Sequence, residues 1–310
     1  MSTNDERSSD PLLAFSNQIA ALVEAAAGYV VAVHAGRHES VSGTSWRSGV
    51  IVTVAHALRH GGDVTITLPD GRQTRAQLAG VDASTDLAVL RTDEAPPAAR
   101  LGDAAAVRTG HWVVAVARGG HGEIAADQGI VGRAGPAWQT WRGGHVDRLL
   151  RLDGGLQAGF SGAPIVAADG GVIGIGTAAL ARGYGIVLPV PTVERVTDAL
   201  LTHGRIARGY LGIGTQPVEL PAATAQKLQL DNPRGLLITS IADDSPAERA
   251  GWLIGDILLR LGEHTVHDLD SLHFALGGEH IGERVRARSV RGGAMIETEV
   301  QIGERPRRHC

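Results

Sequence analysis

What this chain lacks narrows its possible roles before any motif is read. It has a single cysteine, Cys310, at its last position. An intramolecular disulfide and a cysteine-built zinc or redox site are therefore excluded. It has no excess of positive charge: the formal net charge of its 310 residues is −4, which gives no electrostatic basis for binding nucleic acid or an anionic membrane. It has no long apolar run. The stretch from Leu12 to Ala27 is interrupted by Asn17, Gln18 and Glu24 and is too short and polar to span a bilayer. Residues 1–10 are polar, with Asp5, Glu6 and Asp10 and no leading basic block, so no signal peptide is read there. As written, the chain reads as cytoplasmic, with a periplasmic or envelope location the alternative if the N-terminus is trimmed. Aromatic residues are scarce too, at 4%.

Glycine, in contrast, is abundant at 42 residues, and short Val/Ile/Leu runs recur along the chain. Together these predict a mainly β protein with many turns. The length predicts two domains, at ~150 residues each. Asp10-Pro11 reads as a capped helix start, followed by an apolar face of Leu12, Phe15, Ile19, Leu22 and Val23, with Gly28 as the stop. Strands are predicted at 29–34, 49–54, 64–68, 87–91, 112–117, 163–167 and 172–176, with hairpin turns at Asp70-Gly71 and Asp169-Gly170-Gly171. A helix over 192–203, stopped by Gly204, closes this region. From about Arg208 the pattern becomes mixed. Strands are expected at 211–214, 235–241 and 256–261, and helices at the capping box Ser245-Pro246-Ala247-Glu248 and at 269–276, before a hairpin turning at Arg291-Gly292-Gly293. The expected organisation is a polar segment and amphipathic helix over 1–27, a β-rich domain over 28–204, an α+β domain over 205–304 and a basic tail over 305–310.

Three places carry chemistry. His56 follows directly on the β-branched run Ile51-Val52-Thr53-Val54. Asp86 stands at the mouth of the apolar strand Leu87-Ala88-Val89-Leu90. Ser161 lies in Gly159-Phe160-Ser161-Gly162-Ala163-Pro164. Glycines on both sides of a serine let the backbone turn sharply and expose Oγ, and the same turn can aim the N–H groups of Gly159 and Ser161 at one point. A nucleophile, a base and a group that fixes the base's tautomer are the parts acyl transfer needs, here in the chain order His, Asp, Ser.

With these residues in view, the sequence resembles the HtrA (Deg) family of trypsin-like serine proteases. The resemblance runs through Thr53-Val54-Ala55-His56, Ser84-Thr85-Asp86-Leu87-Ala88-Val89-Leu90, Leu152-Asp153 and the Ser161 segment, Val172-Ile173-Gly174-Ile175-Gly176-Thr177 and Gly185-Ile186-Val187-Leu188-Pro189-Val190. It continues in Arg208-Gly209-Tyr210-Leu211-Gly212-Ile213, Ser245 to Gly251 and Gly255-Asp256-Ile257-Leu258. It implies a chymotrypsin-like pair of six-stranded barrels followed by a PDZ domain, and a triad of His56, Asp86 and Ser161. It also implies an oxyanion hole at Gly159, Phe160 and Ser161, and a primary pocket bordered by Thr177, Ala178 and Ala179. Tyr210-Leu211-Gly212-Ile213 would be the loop that captures a peptide C-terminus. The implied substrates are unfolded or C-terminally tagged proteins cut after small aliphatic residues. The implied assembly is a trimer, with no metal or other cofactor. Two positions depart from the family pattern. Phe160 stands where Asn or Asp is usual, and Ala163 where a second glycine is usual. The expectation is an oxyanion loop held by packing alone, with its oxyanion hole malformed at rest or assembled on substrate binding. The alternative function is an impaired protease fold acting through its PDZ domain as a peptide-binding, chaperone-like protein.

Overall fold

The structure is a computed structural model that describes residues 11–34, 40–58, 63–207 and 209–304. The predicted Asp10 cap, residues 1–10, Arg208 and the tail 305–310 with Cys310 lie outside the described residues. The chain divides into two compact units, Met1–Ile206 and Ala207–Cys310.

The first unit opens with helix α1 (Pro11–Ala27), with proline at its first position, where the ring's fixed φ suits a helix start. Strands β1 (Val30–His34), β2 (Ser40–Arg47), β3 (Val50–Val54), β4 (Asp63–Thr67), β5 (Gln73–Asp82) and β6 (Leu87–Arg91) follow. They close into a barrel in the order β1-β2-β3-β6-β5-β4. A second closed barrel, β11-β14-β13-β12-β7-β8, is made of β7 (Trp112–Arg118), β8 (Ile124–Gly135), β11 (Leu149–Leu152), β12 (Pro164–Ala167), β13 (Val172–Thr177) and β14 (Ile186–Pro189). Between β8 and β11 stands a small hairpin, β9 (Trp138–Gln139) with β10 (His145–Val146). Helix α2 (Val190–His203) ends this unit, stopped by Gly204 in the left-handed conformation at φ 70°. The expected mainly β fold with two six-stranded barrels is present.

Each barrel has its own interior, and a third core lies between barrels and helices. Val31, Val33, Ile51, Ile66 and Leu90 fill the first barrel. Val113, Ala115, Val131, Leu150, Phe160, Ile165 and Val187 fill the second. The alternate residues Val30, Val52, Leu87, Val89, Val114, Val166 and Leu188 face outward and meet Val193, Val196 and Leu200 of α2. Strands such as β3 and β6 are thus buried on both faces. That is why they read as unbroken apolar runs rather than as alternation.

The second unit is built on a sheet ordered β16 (Ile213–Glu219), β17 (Arg234–Ile241), β18 (Ile257–Leu261), β20 (Arg284–Arg291) and β21 (Ala294–Gln301). Short β19 (His264–Thr265) pairs with β18, and β15 (Gly209–Tyr210) pairs with β22 (Gly303–Glu304). Helices α3 (Ala222–Lys227), α4 (Pro246–Arg249) and α5 (Leu269–Ala275) complete it. The predicted turn between β20 and β21 is a two-residue one, Gly292 and Gly293 both having positive φ, as a type I′ hairpin requires. The α4 capping box differs in one arm. Ser245 Oγ accepts the Glu248 N–H as expected, but the Glu248 carboxylate takes the N–H of Asp244, at 2.7 Å.

Candidate active site

Strand register brings the chemistry together. In the antiparallel pair of β3 and β6, Val54 lies opposite Leu87. The residues just beyond are therefore neighbours, and the Ala55 N–H donates to the Asp86 carbonyl at 3.0 Å. His56 sits in the single 3₁₀ turn that ends β3. Its Nδ1 lies 3.0 and 2.8 Å from the two Asp86 carboxylate oxygens, and its backbone N–H donates to Oδ1 at 2.9 Å. The Asp86 side chain is buried, while that of His56 is about a third exposed. With Nδ1–H donated to the carboxylate, Nε2 is the basic nitrogen of the ring.

Asp86 has φ 59°, a left-handed conformation that costs a residue with a Cβ ~1–3 kcal/mol. The preceding turn holds it there. Asp82 accepts hydrogen bonds from the N–H and the hydroxyl of both Ser84 and Thr85. The β9–β10 hairpin secures the same turn, since Thr140 Oγ1 donates to the Ser84 carbonyl at 2.7 Å. Asp86 Oδ2 also accepts from Thr177 Oγ1 at 2.5 Å. Thr177 is fully buried, and its hydroxyl is committed to the carboxylate. Sequence reading placed Thr177 at the pocket and missed this contact; Ala178 and Ala179, which follow it, are exposed.

The serine comes from the other barrel by the same logic. Pro164 of β12 lies opposite Ile175 of β13, and the pairing continues past the strand ends, with Gly162 N–H donating to the Gly176 carbonyl at 2.8 Å. This sets Ser161 beside the Thr177-Ala178 segment, where the Ala178 N–H reaches Ser161 Oγ at 3.3 Å. A continuous path then runs from His56 through Asp86 and Thr177-Ala178 to Ser161.

Two turns in tandem shape the segment around Ser161. The Phe160 N–H closes on the Gln157 carbonyl and the Ala163 N–H on the Phe160 carbonyl, each at 3.1 Å. The third residue of each turn is a glycine with positive φ, Gly159 at 87° and Gly162 at 85°. A positive φ at the third position alone is the type II turn, which admits glycine and little else. Gly162 is also sterically required: a Cβ there would lie 1.9 Å from the Ser42 carbonyl oxygen. Among the described residues, the N–H groups of Gly159 and Ser161 donate to no protein acceptor. Phe160 and Ala163, the two unusual residues, are both buried in the interior of the second barrel. Burying a phenylalanine side chain there contributes ~2–3 kcal/mol.

Leu156 is a further residue that sequence reading missed. A Cβ on Gly176 or on Gly185 would lie 2.9 Å from its side chain. Leu156 therefore fills the space those two glycines leave, beside the end of β13. The signal was available as glycines within a strand pattern, which mark close approach by another group.

In the second unit, Tyr210-Leu211-Gly212-Ile213 crosses from β15 to β16 with Gly212 at φ 79°. The Leu211 carbonyl accepts the Ala247 N–H and the Gly212 carbonyl accepts the Ala242 N–H. Among the described residues, the N–H groups of Leu211 and Gly212 have no acceptor. A Cβ on Gly212 would meet Ser245 Cβ at 2.2 Å, so the loop is pressed against the start of α4. Sequence reading began the strand at Leu211; it begins at Ile213, because the Gly212 turn intervenes.

Comparison with known proteins agrees with this fold. Residues 41–175 match the trypsin-like peptidase domain family, and residues 209–302 match the PDZ domain family. The chain belongs to the HtrA (Deg) family of trypsin-like proteases. HtrA-family relatives include a probable periplasmic serine endoprotease, DegP-like, of Chlamydia trachomatis, 29% identical over 87% of this chain and 55% of the relative. Another, of Halomonas elongata, is 31% identical over 83% of this chain and 55% of the relative. The chain thus spans about half the length of these relatives. Among solved structures, the HtrA-type protease AlgW with a decapeptide has a TM-score of 0.74 at 25% identity, over 93% of this chain and 99% of that one. A serine endoprotease from Yersinia pestis has a TM-score of 0.73 at 25% identity, over 94% and 98%.

Proposed function

We propose that this chain is an HtrA-type serine endopeptidase that cuts unfolded or C-terminally tagged proteins. The observation that carries the reading is the buried Asp86 carboxylate, which holds His56 Nδ1 and, through Thr177, stands in line with Ser161. Ser161 Oγ attacks the scissile carbonyl carbon while His56 Nε2 takes its proton. The carbonyl oxygen becomes an oxyanion received by the N–H groups of Gly159 and Ser161, the residues flanking Phe160. His56 then returns the proton to the leaving amine, giving an acyl-enzyme. A water molecule, deprotonated by the same imidazole, attacks the acyl carbon; the bond to Ser161 Oγ breaks, His56 returns the proton to Oγ, and the acid leaves. Asp86 stays ionised and stabilises the imidazolium.

The free N–H groups of Leu211 and Gly212 support a role for the Tyr210–Ile213 loop in receiving a peptide's terminal carboxylate, with α5 as the second wall. The AlgW structure, solved with a decapeptide, supports peptide binding. Leu156 and the small Ala178 and Ala179 support cleavage after small aliphatic residues. The exposed Leu12 and Phe15 on α1 suit association into the trimer expected from the resemblance; light scattering tests it, and a monodisperse monomer removes it. We infer a periplasmic location in preference to the cytoplasmic one, because the relatives are named periplasmic. Among the described residues no helix is long and apolar enough to cross a membrane.

The test is casein cleavage by the parent and by Ser161→Ala, together with fluorophosphonate labelling of the parent. Activity is expected to rise with pH as His56 loses its proton, to vanish in Ser161→Ala, and to be accompanied by labelling at Ser161. Cleavage by Ser161→Ala at the parental rate would overturn the assignment. Failure of the folded parent to label would favour the impaired, peptide-binding alternative.

A further inference from the structure

The segment that carries Ser161 has no polar side chain at position 160 to fasten it, yet its carbonyls are fastened. Fully buried Ser42, in the middle of β2 of the first barrel, does most of this. Its Oγ donates to the Gly159 carbonyl at 2.9 Å, and its backbone N–H donates to the Ser161 carbonyl at 3.0 Å. Two residues on, Thr44 Oγ1 donates to the Gly162 carbonyl at 3.1 Å. One short stretch of one barrel therefore holds the carbonyls of three of the four residues from 159 to 162. Ser42 is itself held from two sides: Arg118 N–H donates to its Oγ at 3.2 Å, and Thr53 Oγ1 donates to its carbonyl at 2.7 Å. The Arg118 backbone is in turn anchored by its buried guanidinium, which donates to the carbonyls of Ala27, Val30 and Gly122 at 2.7 Å each.

We propose that Ser42 is the positioning residue for the oxyanion site, its hydroxyl locking the Gly159 carbonyl and so fixing the plane of the 159–160 peptide and the place from which the Gly159 N–H is presented to substrate. This rests on the serine-peptidase reading above. The physical reason is conformational competition. A turn that inverts the peptide entering Gly159 swings that residue's N–H away from the serine, and a type I turn with a different φ at residue 159 does this without breaking any covalent constraint. Phe160 is anchored by apolar packing, which is non-directional and does not select between the two peptide orientations. A hydrogen bond to the carbonyl of residue 159 is directional: it fixes the plane of the 159–160 peptide, and so the frame on which the entering peptide, whose carbonyl belongs to Ala158, turns. The polar fastening that position 160 does not supply thus comes across the barrel interface from residue 42.

The experiment compares parent, Ser42→Ala and Ser42→Thr in the full chain. Steady-state cleavage of a chromogenic peptide gives kcat and KM, and fluorophosphonate labelling gives the reactivity of Ser161. Peptide affinity is measured separately in the Ser161→Ala background, and melting temperature checks the fold. Loss of a single oxyanion donor costs ~10²–10³ in kcat, so loosening one is expected to cost ~10–100-fold. Ser42→Ala is expected to lose that much in kcat and in labelling rate, with KM and peptide affinity within about twofold of the parent, whereas Ser42→Thr, which keeps the hydroxyl, recovers most of the rate. The proposal is overturned if Ser42→Ala keeps parental kcat, if Ala and Thr lose equally, or if kcat, affinity and melting temperature fall together, which would mark a merely structural residue. A parent with no Ser161-dependent cleavage overturns the peptidase reading as well; an active parent matched by Ser42→Ala overturns the positioning role alone.

Discussion

The two halves of the site are built by different means. On the His56 side, side chains do the holding: Asp86 is fixed by Thr177, by the His56 backbone and by a turn that Asp82 organises with Ser84 and Thr85. On the Ser161 side, the groups that are held belong to the backbone. Two glycine-closed turns set the shape, and the contacts from β2 go to carbonyl oxygens. The difference teaches where each half tolerates change. Identity matters at nearly every position around Asp86. Around Ser161 it is conformation that matters, so a phenylalanine can stand next to the nucleophile.

Substitutions can break or sharpen this contrast, in decreasing order of expected effect. Ser161→Ala removes the one atom both halves serve, and casein cleavage is expected to fall ~10⁵-fold or more with the fold intact by circular dichroism. Asp86→Asn strikes the side-chain half. Asparagine tolerates the left-handed φ, so folding survives, but the His56 tautomer is no longer enforced and kcat is expected to drop ~10⁴-fold. Gly162→Ala strikes the backbone half with a single methyl. It meets the Ser42 carbonyl and a φ of 85°, so a ~10²–10³-fold loss of fluorophosphonate labelling and a lower melting temperature are expected. Parental labelling by that variant would show that the turn is not what forms the site. Thr177→Val keeps the shape and removes one donor to Asp86; ~10-fold in kcat is expected, since hydrogen bonds to charged groups are worth ~1.5–3 kcal/mol.

A carboxylate of the second unit sharpens the contrast by being structural. Burial pushes the Asp256 carboxyl up, but hydrogen bonds from Arg291 and from the Leu253 N–H outweigh it and hold the group below its ordinary value. Its folded value is depressed. Its contribution to stability is therefore complete above the unfolded value of ~3.9 and is lost as pH falls through the folded one. Calorimetry of the whole chain from pH 6 downward is expected to show a stability loss below about pH 4 that Asp256→Asn removes.

Legibility in the sequence followed burial. Strands β3, β6, β7 and β13 were readable because both faces are covered, so apolar residues run without a break. Strand β2 was not predicted. Its central residues Ser42, Thr44 and Ser45 are fully buried polar residues whose hydroxyls bond to carbonyls of distant segments, and no local pattern reports a distant partner. Strands β5 and β8 were missed because exposed and half-buried positions interrupt their apolar residues. At the site, the positions of His56, Asp86 and Ser161 at or near strand ends were legible, because the apolar runs beside them are. Thr177 and Leu156 were not given these roles, because each acts on a residue remote in sequence. Phe160 was read as a weakness from its missing polar group, whereas the structure gives it a place in the barrel interior.

The tandem turns also bear on how such chains are recognised. Their backbone asks for glycine at 159 and 162 and leaves the letter at 160 to whatever the barrel beneath can accommodate. A signature that insists on a polar residue before the serine encodes one way of fastening the segment, not the segment itself. If Ser42 positions the segment as proposed, chains spelled Gly-x-Ser-Gly with an apolar x belong in the search for hydrolases where a small hydroxyl residue in the facing strand reaches the first glycine's carbonyl.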